Sequence, residues 1–303
     1  MKIKKTYSET FLSLFIVGIS ILTFAAVVLA DTASTAVVVG NATPSISGTT
    51  FNSSSAITLV ENNTKTVYAT TTITDANGCG TIVGVTANVY RSGVTAAGCD
   101  TVGEASSNSC YPVITCAVVA GTCTGGADTA ANYVCTATLQ YYADPTDSGT
   151  YSAQNWVSTI VAGDGTATST DSTATAELNT LSALDVTSSI DYGTLAANAN
   201  TGSVNSTTTV TNTGNTNIDP DISGTDMTSG GDTLTVGNQE YSAAPFAFGA
   251  GTALSTTPAS IDITLPQRTA GAVTDTVSWG IGVPGGTPVG NYAGTNTFSA
   301  VAN

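Results

Sequence analysis

The chain has 303 residues, 41% of them hydrophobic and only 9% charged, enough apolar material for a buried core and enough length for about two domains. Beyond residue 30 the only cations are Lys65, Arg91 and Arg268 against 20 acids, so that stretch carries 3 − 20 = −17 at pH 7. A surface of that sign repels phosphate backbones and anionic lipid, which excludes nucleic-acid binding and leaves membrane contact to the N-terminal segment alone.

Lys2, Lys4 and Lys5 precede an apolar stretch from Phe11 to Ala30 that ends in Val28-Leu29-Ala30 before Asp31. A basic start, a greasy middle and a small residue at the end describe a secretory signal. The same stretch is also long enough to span a bilayer as an uncleaved anchor. Either reading exports residues 31–303, so the expected location is extracellular or at the cell surface, with residues 11–30 as the anchor if they are retained. Residues 31–40 form a small-residue lead-in, and Asn41-Ala42-Thr43-Pro44 opens the first folded unit, expected over residues 41–180.

Within that unit Val67, Ala69, Thr71 and Ile73 alternate on one face of a strand. Asp75-Ala76-Asn77-Gly78 supplies a turn, and Val83, Val85, Ala87 and Val89 continue as a second strand ending near Arg91; the pair is expected to form a hairpin. Six cysteines follow within 57 residues, at Cys79, Cys99, Cys110, Cys116, Cys123 and Cys135. Their even number and clustering in an exported chain predict three disulfides, whose connectivity the spacing leaves open. No Cys-x2-Cys pair occurs and histidine is absent, so a zinc site does not fit. Tyr133, Cys135, Ala137, Leu139 and Tyr141 share a strand face, which turns Cys135 toward the core.

The turn Asp144-Pro145-Thr146-Asp147, a strand around Trp156–Ala162 and the turn Gly163-Asp164-Gly165 lead into a Thr/Ser/Ala-rich run to Ala176. A second unit is expected over residues 181–303, with strands at Ile190–Leu195, Val204–Asn212 and Ile218–Ile222. Alternation at Ile261, Ile263 and Leu265 and again at Val277, Trp279, Ile281 and Val283 adds two more, before a last strand near Phe298–Val301. Leu265-Pro266-Gln267-Arg268-Thr269-Ala270-Gly271 reads as a loop. Threonine fills 57 positions, and no amphipathic helical pattern appears after residue 30. The fold class is therefore all-β: two antiparallel sandwiches behind an N-terminal signal or anchor helix.

Val210-Thr211-Asn212-Thr213-Gly214-Asn215-Thr216-Asn217-Ile218, with Asp191-Tyr192-Gly193-Thr194-Leu195 upstream, resembles the immunoglobulin-like repeats of prokaryotic surface-layer and adhesin-type proteins. Asp147-Ser148-Gly149-Thr150-Tyr151 is similar to the Asp-x-Gly-x-Tyr corner of antibody-type domains. Ala153 stands where that family places a cysteine, so its inter-sheet bridge does not carry over. The resemblance implies immunoglobulin-like sandwiches and placement at a cell surface, and it names no ligand.

Without histidine the commonest general base is missing, and a Ser-Lys pair would have to use Lys65. The close carboxylates Asp144 and Asp147, Asp219 and Asp221, and Asp226 and Asp232 sit among turn residues, where aspartate accepts local backbone hydrogen bonds. No catalytic, cofactor or metal residue is assigned, and no cofactor is expected. Structural calcium is the one alternative, through Asp75 and Asn77 or Asp144 and Asp147. The expected function is an exported structural or adhesive cell-surface protein without catalytic activity. The alternative is a secreted carbohydrate- or small-ligand-binding module stacking its ligand on Tyr141, Tyr142, Tyr151 or Trp156. The expected partners are other surface proteins, further copies of the chain through exposed strand edges, or glycans.

Overall fold

The computed structural model describes residues 33–100 and 107–303. The signal or anchor segment, residues 1–30, lies outside the described residues. Residues Met1–Gly40 form one unit and Asn41–Asn303 another; among the described residues every strand lies in the second. In the first, Val37, Val38 and Val39 are 86%, 95% and 77% exposed. Among the described residues no helix is long and apolar enough to cross a membrane.

The all-β expectation holds. The strands are β1 (Ser45–Phe51), β2 (Thr64–Thr74), β3 (Gly84–Arg91), β4 (Cys110–Thr115), β5 (Ala117–Val118), β6 (Ala130–Gln140), β7 (Trp156–Gly163) and β8 (Thr168–Ala176), with a short helix α1 (Ala96–Asp100). They make two antiparallel sheets, ordered β1-β2-β6-β5 and β4-β3-β7-β8. This is the A-B-E-D and C-F-G arrangement of an immunoglobulin-type Greek key, with β4 added beside C. Val67, Ala69 and Ile73 from one sheet meet Val85, Ala87, Trp156 and Ile160 from the other in a single core.

One expectation needs correction here. The strands carrying Val67–Ile73 and Val85–Val89 do not pair: β2 lies between β1 and β6, while β3 lies between β4 and β7 in the opposite sheet. Each buries one face, so both faces are served only by standing across the core from each other. The connection is pinned by Asp75 N–H to Thr129 O at 2.7 Å and Cys79 N–H to Asp128 O at 2.7 Å. Val83, at 73% exposed, lies outside the strand. The Thr/Ser/Ala run to Ala176 is strand β8, joined to β7 through the expected turn, where Asp164 Oδ1 accepts the N–H groups of Thr166 and Ala167, each at 2.7 Å.

Three bridges close this region: Cys79–Cys123, Cys99–Cys110 and Cys116–Cys135. Cys135 is buried as its strand face requires. Its bridge ties the crossing from β4 to β5, where the chain changes sheets, onto β6.

The remaining strands are β9 (Leu184–Val186), β10 (Ser206–Asn212), β11 (Ile218–Gly224), β12 (Met227–Ser229), β13 (Asp232–Leu234), β14 (Gln239–Ser242), β15 (Thr252–Ala253), β16 (Ala259–Ser260), β17 (Thr274–Ile281) and β18 (Asn296–Ala302). They form a five-stranded sheet, β15-β14-β17-β10-β9, a three-stranded sheet, β16-β11-β18, and the hairpin β12-β13. Val210, Val277 and Trp279 of the larger sheet pack on Ile218, Ile222 and Phe298 of the smaller. Two expected strands are absent as strands. Ile190–Leu195 is irregular, because Gly193 takes φ 70° and its N–H turns back to Asp191 Oδ1. Ile261, Ile263 and Leu265 are buried as their alternation implies, but only Leu265 makes a bridge, to Ile218.

The two cores meet at a hydrogen-bonded joint. The buried Asn215 donates through Nδ2 to Ala143 O (3.0 Å) and Asn179 O (3.1 Å) and accepts from Leu181 N–H (2.6 Å). From the loop of residues 265–271, Gln267 Nε2 donates to Tyr142 O (2.9 Å) and Asp144 Oδ1 (3.1 Å), and Arg268 Nη1 donates to Tyr141 Oη (2.9 Å).

Candidate functional site

Of the residues singled out from sequence, Asp144, Tyr141, Tyr142, Tyr151 and Trp156 gather around Arg91, Gln267 and Arg268, while the other carboxylates each serve their own neighbourhood. Asp75 Oδ1 accepts the Asn77 N–H at 2.8 Å within one turn. Asp144 pairs with Arg91 Nε at 2.9 Å, whereas Asp147 turns to Thr180, accepting from its N–H and Oγ1. Asp219 accepts from Ile263 N–H and Asn303 Nδ2, and Asp226 from Val236 N–H. Trp156 and Trp279 are fully buried, with Trp156 Nε1 donating to Asp144 O at 2.9 Å. Tyr151 lies beneath the Arg91 guanidinium, 3.6 Å from the ring centre, and Tyr141 and Tyr142 lie beside Arg268.

A different place gathers unused bonding capacity: the flank where β9 and β18, the edge strands of the second pair of sheets, face each other. In an antiparallel ladder alternate residues bond inward and the others outward. Thr225 N–H to Thr295 O (2.9 Å) and Asn303 N–H to Asn217 O (3.2 Å) set the phase of β18 on β11. Residues 297, 299 and 301 therefore bond to β11, while Asn296, Phe298, Ala300 and Ala302 turn their N–H and C=O groups outward. On β9, Thr187 N–H to Thr209 O (3.1 Å) and Thr213 N–H to Ala183 O (3.0 Å) leave Leu184 and Val186 outward, where Asp185 Oδ1 accepts the Val186 N–H at 2.9 Å. No backbone bond joins these outward groups to another strand among the described residues. The side chains of Phe298 and Ala300 point inward and pack against the core.

A groove of about 340 Å³ runs along this flank, bordered by Val186, Tyr192, Met227, Asn296 and Phe298, and a hollow of about 520 Å³ continues it past Tyr192 and Tyr292. Gln239, at 2% exposed, borders the groove. Its Oε1 accepts from Tyr192 Oη and Asn296 Nδ2, each at 3.0 Å, while its Nε2 has no partner among the described residues. Burial pushes the Tyr192 hydroxyl above the ordinary tyrosine range, so it stays a neutral donor. Trp279 meets Phe298 edge-on at 5.9 Å and its Nε1 is likewise without a partner. The flank thus offers main-chain hydrogen bonds and a channel of mixed lining, with Ile190 and Phe298 beside Ser188, Ser189 and Asn296, and no charged side chain on β18 itself.

The sequence did hold a sign of this edge. Asn296-Thr297-Phe298-Ser299-Ala300-Val301-Ala302 has no Lys, Glu, Pro or Gly, the devices by which edge strands are commonly blunted. Gln239 and Tyr192 carried no such sign, since their meeting depends on the path of the irregular segment through residues 187–197.

No protein-family model matches the chain, and no curated protein matches it. Among solved structures, it is similar to the secreted serine protease VesC from Vibrio cholerae at 10% identity and a TM-score of 0.19, over 84% of this chain. The chain spans about half that protease's length, 51%. This finding corrects the functional expectation, because the similar structure is that of a secreted enzyme. The expectation of a structural or adhesive cell-surface protein without catalytic activity does not stand, and neither does its alternative of a carbohydrate- or small-ligand-binding module. A likeness of this size transfers neither fold nor activity. A Ser-His-Asp triad in particular cannot be built from a chain with no histidine.

Proposed function

We propose that the chain works in an oxidising compartment outside the cytoplasm, through protein–protein association by strand addition at the open edge of β18. The three disulfides support the compartment, because such bonds persist where thiols are not kept reduced. The observation that carries the association is the run of outward backbone groups at Phe298, Ala300 and Ala302, which begins at Phe298 beside a groove of mixed polar and apolar lining. An unpaired edge of this kind is a template for another strand, with main-chain bonds giving affinity and pockets giving selectivity. The strand order of the first sandwich supports kinship with immunoglobulin-like repeats, and the partner proposed is a second copy of the chain.

Ala300→Pro tests the reading. Proline removes an N–H that points away from β11 and so leaves that ladder intact. In sedimentation velocity over a range of concentrations, the exported protein is expected to associate and the variant to associate about tenfold more weakly or worse, the equivalent of ~1.4 kcal/mol. A parent protein that stays monomeric throughout, or a folded variant that associates as well as the parent, overturns it.

A further inference from the structure

We infer that the strand received at β18 is the segment Ala33–Val39 of a second copy, entering with Val37 and Val39 toward the groove; this rests on the association proposed above and names its donor. Val37, Val38 and Val39 are the one run of three consecutive exposed large apolar side chains among the described residues. A run of that kind on a soluble surface marks a contact. The sequence Ala-Ser-Thr-Ala-Val-Val-Val is uncharged and ends in β-branched residues that favour strands. It has the alternation the groove requires, with Val37 and Val39 on one side of an extended chain and Val38 on the other.

Donor and acceptor also match in charge. In a chain at −17 beyond residue 30, two copies repel over most of their surface. Ala33–Val39 and Asn296–Ala302 are both free of charge, so contact between them adds no repulsion. Added beside β18, the donor pairs with the outward groups of Phe298, Ala300 and Ala302. Val37 and Val39 then extend the row of Phe298 and Ala300 toward the groove. Because the donor and acceptor surfaces are different, the contact is head-to-tail, and each copy keeps a free end for the next.

Two variants of the exported protein separate the possibilities: Val37→Asp with Val39→Asp, which spoils the donor and keeps the edge, and Ala300→Pro, which spoils the edge and keeps the donor. Each alone is expected to sediment as a monomer where the parent associates. Mixed in equal amounts, they are expected to form a one-to-one pair and stop there, since only one donor and one edge remain intact. If the valine variant still associates while Ala300→Pro does not, the donor is wrong and edge association stands. If Ala300→Pro still associates, both fail. If both are monomeric and the mixture forms no pair, the donor assignment is overturned. Ala302→Pro, which removes another outward N–H near the end of β18, replaces Ala300→Pro should the latter lose its native melting temperature.

Discussion

Asp147 and Asp144, three residues apart, respond to acid in opposite senses. Burial pushes the Asp147 carboxyl up, but bonds from Thr180 Oγ1 (2.6 Å), Thr180 N–H (2.9 Å) and Ser148 Oγ outweigh it, and the net shift is below the ordinary value. A carboxylate with a lowered folded pKa stabilises the fold above its unfolded pKa and loses that contribution as the pH falls through the folded one. At Asp144 burial is the larger effect and outweighs Arg91 and Gln267, so the carboxyl is raised. That group favours the fold most when protonated and loses the advantage as the pH rises through its folded pKa, which partly offsets Asp147. The expected outcome for Asp147→Asn is a lower urea midpoint at pH 7 and a smaller gap from the parent at the lowest pH where the fold persists, as the pH falls toward the lowered folded pKa of the parent carboxyl. An equal gap at both pH values would assign the effect to packing instead of charge.

At the scale of the element, what the sequence made legible was burial, and what it hid was pairing. The alternation of Val67, Ala69, Thr71 and Ile73 gave a buried strand face directly, and the face of Cys135 followed from the same rule. Alternation says which residues turn inward but not which sheet they turn inward from, so β2 and β3 read as a hairpin although they stand across the core. Strand β8 was obscured by its composition, since Thr, Ser and Ala suit an exposed edge strand as well as a loop. The open edge of β18 was legible as an uncharged strand, whereas the groove beside it needed the turn at Gly193. The cysteines showed the compartment but not their partners. The pairing found places Cys116–Cys135 at the crossing between sheets, within the main core, and Cys99–Cys110 in a small cluster with Tyr90 and Val157. Closing a loop of this order contributes about 3 kcal/mol in the chain-entropy view. Cys116→Ser with Cys135→Ser is therefore expected to lower unfolding stability by about that amount in urea. Cys99→Ser with Cys110→Ser should cost less, because it loosens only the small cluster. Equal losses would mean that loop closure alone, and not the core position, sets the effect.

For the whole molecule the decisive question is whether the two cores unfold as one. Each has its own buried cluster, and nothing in their composition couples them. The coupling lies in polar groups at the joint, above all Asn215, which closes Leu181 N–H, Ala143 O and Asn179 O from one side chain. Gly214 beside it permits this approach, because a Cβ there would collide with the Leu181 carbonyl and lie 2.9 Å from Ala183 N. Replacing Asn215 by alanine strands three backbone groups where water has little access, and each buried group without a partner costs about 1–3 kcal/mol. That loss falls on the joint and not on either core, since the side chain packs in neither cluster. Calorimetry of the parent should therefore show one cooperative transition, and that of Asn215→Ala two, the lower moved down and the upper close to the parent. A single transition that merely shifts would mean that the loop carrying Gln267 and Arg268, with its bonds to Tyr141, Tyr142 and Asp144, holds the cores together without Asn215.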